Sequence, residues 1–182
     1  NYDEGGMMAM KGEIRDDWLA VILNNPFFRK KPPKSAGREQ FGAQYLDELV
    51  ENLTISSTRQ MLDLISTITI AVAKSIADAI RRFVFPSHPV DELLVCGGGA
   101  KNAFLMQALE GEVALIGQSK HSRGAPERIK IMTSDNAGVP ADAREAMAFA
   151  LLARETLGGR PGNIPSATGA KRAVTLGKIV RP

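Results

Sequence analysis

The sequence predicts an α/β fold with a helix-rich first half followed by strand–helix units. Three observations carry this. Apolar residues recur at helical spacing over most of the chain up to about Phe85. A short apolar run, Glu92 to Cys96, then ends abruptly in Gly97-Gly98-Gly99 and gives way to an apolar-periodic segment, the order of a buried strand, a tight turn and a new helix. A second run, Arg128 to Thr133, alternates as a strand does and leads to a segment with Pro140 at its start and Gly158-Gly159 at its end, the usual asymmetry of a helix. Strand–helix–strand–helix is the pattern of parallel strands joined by a right-handed crossover. Residues 1–90 read as mainly helical and 91–182 as α/β, together one lobe.

Taken in order, Arg15 to Leu23 carries Trp18, Leu19, Ile22 and Leu23 on one side of an amphipathic helix. Asn24-Asn25-Pro26 stops it, and Pro32-Pro33 holds the following loop extended. Phe41, Tyr45, Leu46, Leu49 and Leu53 give a second helix over about 39–52. Ser57 with Gln60 three residues later has the form of a capping box that opens a long helix to about Phe85. Its expected buried stripe is Met61, Leu64, Ile65, Ile68, Val72, Ile76, Ile80 and Phe83, with Pro86 as the stop. The β-branched centre, Ile68-Thr69-Ile70-Ala71-Val72, opposes helix formation weakly. In the second half, residues 102–110 form a short helix and a polar loop follows over about 114–127. Strand 128–133 ends in the turn Ser134-Asp135-Asn136-Ala137-Gly138, a helix runs from Pro140 to Leu157, residues 162–169 are irregular, and Ala173 to Val180 closes the chain as a third strand.

Composition narrows the functional classes. A chain of 182 residues with 44% hydrophobic and 24% charged residues is that of an ordinary globular protein with one good core. The net charge of +3 and the 5% aromatic content do not make a nucleic-acid surface, and the basic clusters Arg29-Lys30-Lys31 with Lys34 and Lys120 with Arg123 read as solvated loops. One cysteine, Cys96, excludes an internal disulfide framework and fits a reducing, cytoplasmic setting. His88 and His121 are the only histidines, so a His-based metal site or a Ser–His–Asp triad is disfavoured. No apolar run has the length of a membrane span.

The chemistry points to the carboxyl ends of the two strands, where ligands of open α/β sheets bind. Gly97-Gly98-Gly99 and Ser134-Asp135-Asn136 both belong there. Three residues without a Cβ let a ligand approach the main chain, and the helix behind them presents unpaired N–H groups. Either this loop receives a nucleotide, or it merely packs a helix close to a sheet.

The stretch Leu93-Leu94-Val95-Cys96-Gly97-Gly98-Gly99-Ala100-Lys101-Asn102 resembles the adenosine motif of the sugar-kinase/actin/Hsp70 superfamily, and more narrowly that of the anhydro-N-acetylmuramic acid kinases. Three other stretches strengthen the narrower resemblance. They are Tyr2-Asp3-Glu4-Gly5-Gly6 with Pro26-Phe27-Phe28 and Pro32-Pro33-Lys34-Ser35-Ala36-Gly37-Arg38-Glu39; Glu145-Ala146-Met147-Ala148-Phe149-Ala150; and Gly162-Asn163-Ile164-Pro165-Ser166-Ala167-Thr168-Gly169-Ala170. Four motifs in the family's order span essentially the whole chain.

The resemblance implies the C-terminal half of such an enzyme, the C-terminal lobe of an actin-like, ribonuclease-H-like ATPase fold. The family's Gly-Thr-Ser-Met-Asp-Gly phosphate loop, Asn-Ile-Gly-Gly segment and Asp-Thr-Gly-Pro-Gly-Asn motif, whose aspartate is the base, do not occur in this sequence. An N-terminal lobe would supply them, and this chain alone is then expected to be inactive. The implied partners are ATP, Mg²⁺ and the anhydro-amino-sugar. A homodimer is also implied, for which the helix at 57–85 offers apolar surface unless that surface is core. The alternative is a lobe that binds a nucleotide or a partner without catalysis.

By the same resemblance Gly97, Gly98, Gly99 and Ala100 would receive adenosine, and Asn102 would either hydrogen-bond the nucleoside or cap its own helix. The family has His before this Asn and Pro after it, where Lys101 and Ala103 stand here; Lys101 either meets phosphate or faces solvent. Glu145 would point into the sugar cleft among Ala146, Ala148 and Ala150, or else serve the helix dipole as a first-turn acid. Arg38 would meet the substrate's acidic lactyl group, or Lys34, Arg38 and Glu39 would form a fixed hinge or a helix-start salt bridge. Thr168 and Gly169 read as a turn returning the tail to the sheet.

Overall fold

The computed structural model describes residues 2–117 and 129–180. The polar loop with Lys120, His121 and Arg123 lies largely outside them. Helix α1 spans Asp16–Leu23, a single turn α2 spans Pro26–Arg29, α3 spans Ala43–Asn52 and α4 spans Thr58–Ala79. Strand β1 (Glu92–Val95) leads through the glycine loop into α5 (Ala103–Gly117). Strand β2 (Lys130–Thr133) leads through a 3₁₀ turn into α6 (Arg144–Leu157), and a single turn α7 covers Pro165–Thr168. The two strands are parallel, with Glu92 opposite Lys130 and Val95 opposite Thr133. This is a helix-rich α/β arrangement.

Helix α4 is the spine, and two clusters of buried side chains form along it. Its first half joins Leu64 and Ala71 to Trp18, Leu19 and Ile22 of α1 and Leu49 of α3. Its second half joins Ala73 and Ala77, with Ile80 just beyond the helix end, to Leu109, Val113 and Ile116 of α5 and to Ile129. Leu93, Val95 and Ile131 turn one face of the sheet toward that second cluster, while Leu94 faces the other way and is exposed. Alternation along β1 is therefore real, as expected of a strand buried on one side.

The predicted capping box is present: Ser57 Oγ accepts from Gln60 N, and Gln60 Oε1 accepts from Ser57 N. The predicted apolar stripe needs correction. Leu64 and Ile80 are buried, but Met61 and Val72 are exposed. The deepest positions on α4 include Asp63, Ser66 and Thr67, because this face grips backbone rather than a hydrophobic surface. Ser66 Oγ donates to Ala9 O at 2.7 Å and to Gly12 O at 3.3 Å; Asp63 accepts from Glu13 N at 2.8 Å; Thr67 Oγ1 accepts from Arg15 N at 3.1 Å. Buried polar groups of this kind stand only when paired, and Arg59 Nε completes Asp63 at 3.3 Å. The expected dimer surface on α4 is thus spent largely on the two interior clusters.

Other boundaries shift for local reasons. The long helix ends at Ala79 and unwinds through one π turn, Ile80–Val84, before the predicted stop at Pro86. Asp78 grips Arg81 and Arg82 across this change of pitch. Burial pushes the Asp78 carboxyl up, but hydrogen bonds and charge from Arg82 and Arg81 outweigh it and hold the group below the ordinary carboxylate value. Helix α3 begins at Ala43, not near residue 39, because Gly37 O accepts from Gln40 N and Phe41 N and closes a turn first. Helix α5 continues seven residues beyond the predicted 110, into part of the expected loop. Helix α6 starts at Arg144, since 141–143 form a turn after Pro140.

The predicted third strand over 173–180 is absent. The tail is tied instead by Val174 N to Asn163 Oδ1 at 2.7 Å, Gly162 N to Val174 O at 3.0 Å, and Thr156 Oγ1 to Leu176 O. These bonds use the groups that a strand would have offered to a sheet.

Candidate functional site

Because the strands are parallel, the loops that follow them emerge at the same edge. Gly97 has φ +79° and ψ −168°, a conformation that side-chain-bearing residues rarely adopt, and it turns the chain out of β1. A 3₁₀ turn, Gly98–Lys101, follows, closed by Ala100 N to Gly97 O at 3.1 Å and Asn102 N to Gly99 O at 3.1 Å. A Cβ built on Gly98 meets nothing within 4 Å, so this stretch of main chain faces open space. A Cβ on Gly99 would stand 3.3 Å from Leu105 Cδ2, a tight contact that the leucine would have to yield to. The three glycines therefore have different reasons: a left-handed turn, an open surface and a close contact.

Asn102 caps its own helix. Its Oδ1 accepts from Leu105 N at 2.9 Å at the head of α5. The cap is braced by Gly6, which has φ +80°, and a Cβ there would lie 2.2 Å from Asn102 Oδ1. The Asp3–Gly6 segment and the glycine loop are in this way neighbours. Asp3 fixes its own turn by accepting from Met8 N at 2.7 Å and Ala9 N at 3.0 Å.

Neither alternative offered for Lys101 describes it fully. It bonds Asp142 at 2.7 Å, tying the loop after β1 to the turn before α6. That hydrogen bond, with the charge of Asp142, raises the lysine above its ordinary value. Across the same edge, Thr133 and Asn136 cap the turn after β2 and Asp135 Oδ1 accepts from Ala141 N at 3.3 Å, so all three polar side chains shape the turn. Ser134 is buried, and its Oγ has no hydrogen-bond partner among the described residues.

Glu145 lies in the first turn of α6 with its side chain 81% exposed, and Ala146, Ala148 and Ala150 are exposed too, so the expected close packing around it is not formed. Its neighbour Arg144, which sequence reasoning missed, brings Nη2 to 4.0 Å from the position a Cβ on Gly97 would occupy. The signal was present as a cation at the head of the second helix, but its proximity to Gly97 depends on the tertiary arrangement. Cys96 is half-buried beside the loop, with no histidine next to it in sequence.

Lys34 Nζ donates to Phe27 O at 3.1 Å and sits 4.6 Å from the centre of the Phe27 ring and 5.4 Å from that of Phe83. Arg38 and Glu39 are exposed in the turn before α3. Behind them Phe27, Phe28, Phe41 and Tyr45 pack edge to face, except for the stacked pair Phe28 and Phe41, around an apolar cavity of about 600 Å³ that lies away from the glycine loop. Burial raises the Tyr45 hydroxyl above its ordinary value, against a smaller opposing effect of its hydrogen bond with Asn25. Gly169, at φ +77°, turns the chain beside Pro33 (a Cβ would stand 3.5 Å from Pro33 Cγ), so it meets the Pro-Pro loop and not a sheet.

Parallel strands with a bare main-chain loop at their carboxyl edge define an α/β protein with a candidate ligand site at that edge. Comparison with known proteins makes the relation specific. The family model described as anhydro-N-acetylmuramic acid kinase matches residues 1–182. The chain is 36% identical over 179 residues to the anhydro-N-acetylmuramic acid kinase of Caldanaerobacter subterraneus subsp. tengcongensis, covering 98% of this chain and 42% of that protein. It is 38% identical over 182 residues to the Bacillus cereus protein of the same name, covering 100% and 44%. It is 38% identical over 179 residues to that of Francisella tularensis subsp. novicida, covering 98% and 42%. The chain belongs to the anhydro-N-acetylmuramic acid kinase family, and it spans less than half the length of these relatives. The expectation that it represents only the C-terminal half is corrected: the family match runs from residue 1 to 182, and the relation established is to the family as such, without assignment to its C-terminal half.

Proposed function

We propose that this chain forms the nucleotide-facing part of an ATP-dependent kinase that opens 1,6-anhydro-N-acetylmuramic acid and phosphorylates O6, giving N-acetylmuramate 6-phosphate for recycling of cell-wall sugar in the cytoplasm. Family membership over the whole chain supports the activity. The observation that carries the site is the glycine loop at the carboxyl edge of two parallel strands, whose main chain faces open space at Gly98. A purine can lie against a backbone without side chains, and the turns on either side are already fixed by their own hydrogen bonds. On this reading the chain is part of an actin-like ATPase lobe, with Gly97, Gly98, Gly99 and Ala100 against the adenosine and Asn102 holding α5 behind them.

In the proposed reaction water adds to C1 as the C1–O6 bond breaks, O6 bonds the γ-phosphorus, and ADP leaves with the water's second proton released to solvent. Phosphoryl transfer is catalysed chiefly by position and by charge aimed at the phosphates. This chain contributes the nucleotide edge and Glu145, which would orient water or sugar beside a base contributed by another part of the enzyme. Mg²⁺ normally accompanies such a transfer, but no group of three or more metal-binding side chains comes together among the described residues. No step is therefore assigned to it here. Because the sequence lacks the family's phosphate-loop and aspartate motifs, these 182 residues alone are proposed not to turn over. Among the described residues no helix is long and apolar enough to cross a membrane.

The test is turnover of the anhydro sugar with ATP in ¹⁸O-water, using the full-length protein. Label at C1 and phosphate on O6 are expected. Phosphorylation of another sugar with the anhydro compound untouched would overturn the substrate assignment. A non-catalytic nucleotide-binding lobe is the alternative, and it predicts binding without any phosphorylated product.

A further inference from the structure

Arg144 opens α6 at the end of the connection from β2, yet its guanidinium reaches across to the loop that follows β1. Its Nη2 stands 4.0 Å from where a Cβ on Gly97 would be, and the main chain beside it, at Gly98, faces open space. The side chain is half exposed, and the nearest carboxylate, that of Glu145, is a loose 3.9 Å away. The second cation flanking the loop is differently placed. Lys101 is held by Asp142 at 2.7 Å, which fixes the start of α6 against the glycine turn and so positions Arg144 over it.

We infer that Arg144 is the anion-binding residue of this loop and takes a phosphate oxygen of the nucleotide, while Lys101 serves as a strap between the two loops. The inference rests on the nucleotide reading of Gly97–Gly99 and assigns the polarity of the bound molecule, with its phosphate chain toward the α6 side. A guanidinium suits the task because it stays charged at every working pH and presents paired N–H donors that match phosphate oxygens. Without a Cβ at Gly97, nothing on that residue stands between the guanidinium and a ligand lying on the loop. The assignment makes Arg144 a binding residue; no bond is made or broken at it.

Titration calorimetry of the full chain with ATP, adenosine and pyrophosphate separates the possibilities. Arg144→Gln is expected to weaken ATP and pyrophosphate by about 10- to 100-fold, the factor one charge-assisted hydrogen bond carries, and to leave adenosine unchanged. Arg144→Lys is expected to recover part of the loss, and thermal unfolding of both variants should match the parent because the side chain is exposed. Equal affinity of ATP for parent and Arg144→Gln overturns the assignment while leaving the nucleotide loop intact. Equal weakening of adenosine and ATP overturns it in favour of contact with the base. Pyrophosphate binding that depends on Arg144, without any adenosine binding, supports the anion contact and refutes the nucleotide reading. No binding of any of the three to the parent refutes both.

Discussion

Replacing Gly6 by alanine tests the link between the beginning of the chain and the glycine loop. Two costs add. Holding a side-chain-bearing residue at φ +80° costs about 1–2 kcal/mol. The new Cβ would also lie 2.2 Å from Asn102 Oδ1 and 2.9 Å from Phe104 Cβ, so the cap on α5 must move. Loss of an Asn cap costs about 0.5–2 kcal/mol. A total of about 1.5–4 kcal/mol is expected in urea unfolding. Gly5→Ala is the control: its φ of +64° carries the same conformational cost, but its nearest neighbour is Met7 Cγ at 4.0 Å. The excess of Gly6→Ala over Gly5→Ala isolates the clash. Because Asn102 is the obstacle, Gly6→Ala should also cost less in an Asn102→Ala background, by about 1 kcal/mol. Equal costs at the two glycines, with no coupling to Asn102, would refute the proposed brace.

Other outcomes follow from the same contacts. Leu64→Ala empties a fully buried position on α4 and should cost about 2–5 kcal/mol by denaturant unfolding, whereas Val72→Ala, on the exposed side, should cost far less. Ser66→Ala removes the hydroxyl donor to Ala9 O and Gly12 O and should cost about 1–3 kcal/mol; a neutral result would mean that the 9–12 segment is not held from α4. The Asp78 carboxyl is held below its ordinary value when folded, so its contribution is present above the unfolded carboxylate pKa and is lost as pH falls through the folded one. The difference in Tm between the parent and Asp78→Asn should accordingly be largest near neutrality and shrink toward pH 3. In the full-length enzyme, Glu145→Gln should lower kcat by about 10²-fold if the carboxylate orients water or sugar; unchanged turnover would remove it from the mechanism.

What could be read before folding was whatever depends on near neighbours in sequence. The Ser57–Gln60 box, the strand that ends just before the glycine loop and the possibility of a helix cap at Asn102 each involve residues within a few positions of one another. What could not be read were features made by distant segments. The buried Asp63, Ser66 and Thr67 look like errors in an apolar stripe until the backbone of residues 9–15 lies against them. Arg144 looks like a solvated first-turn residue until β1 and β2 pair and bring its helix to Gly97. The apolar and β-branched residues of 173–180 fit a strand, but Asn163 and Thr156 capture their backbone first. In the same way the small residues around Glu145 read as close packing, yet they line an exposed helix face.

The most direct test uses Gly98, where an added Cβ meets no atom within 4 Å and no unusual φ is required. Gly98→Val should leave stability within about 0.5 kcal/mol of the parent, as for a surface substitution away from special features, and should abolish binding of ATP and ADP measured by calorimetry. Undiminished nucleotide affinity in a folded Gly98→Val protein would contradict the account.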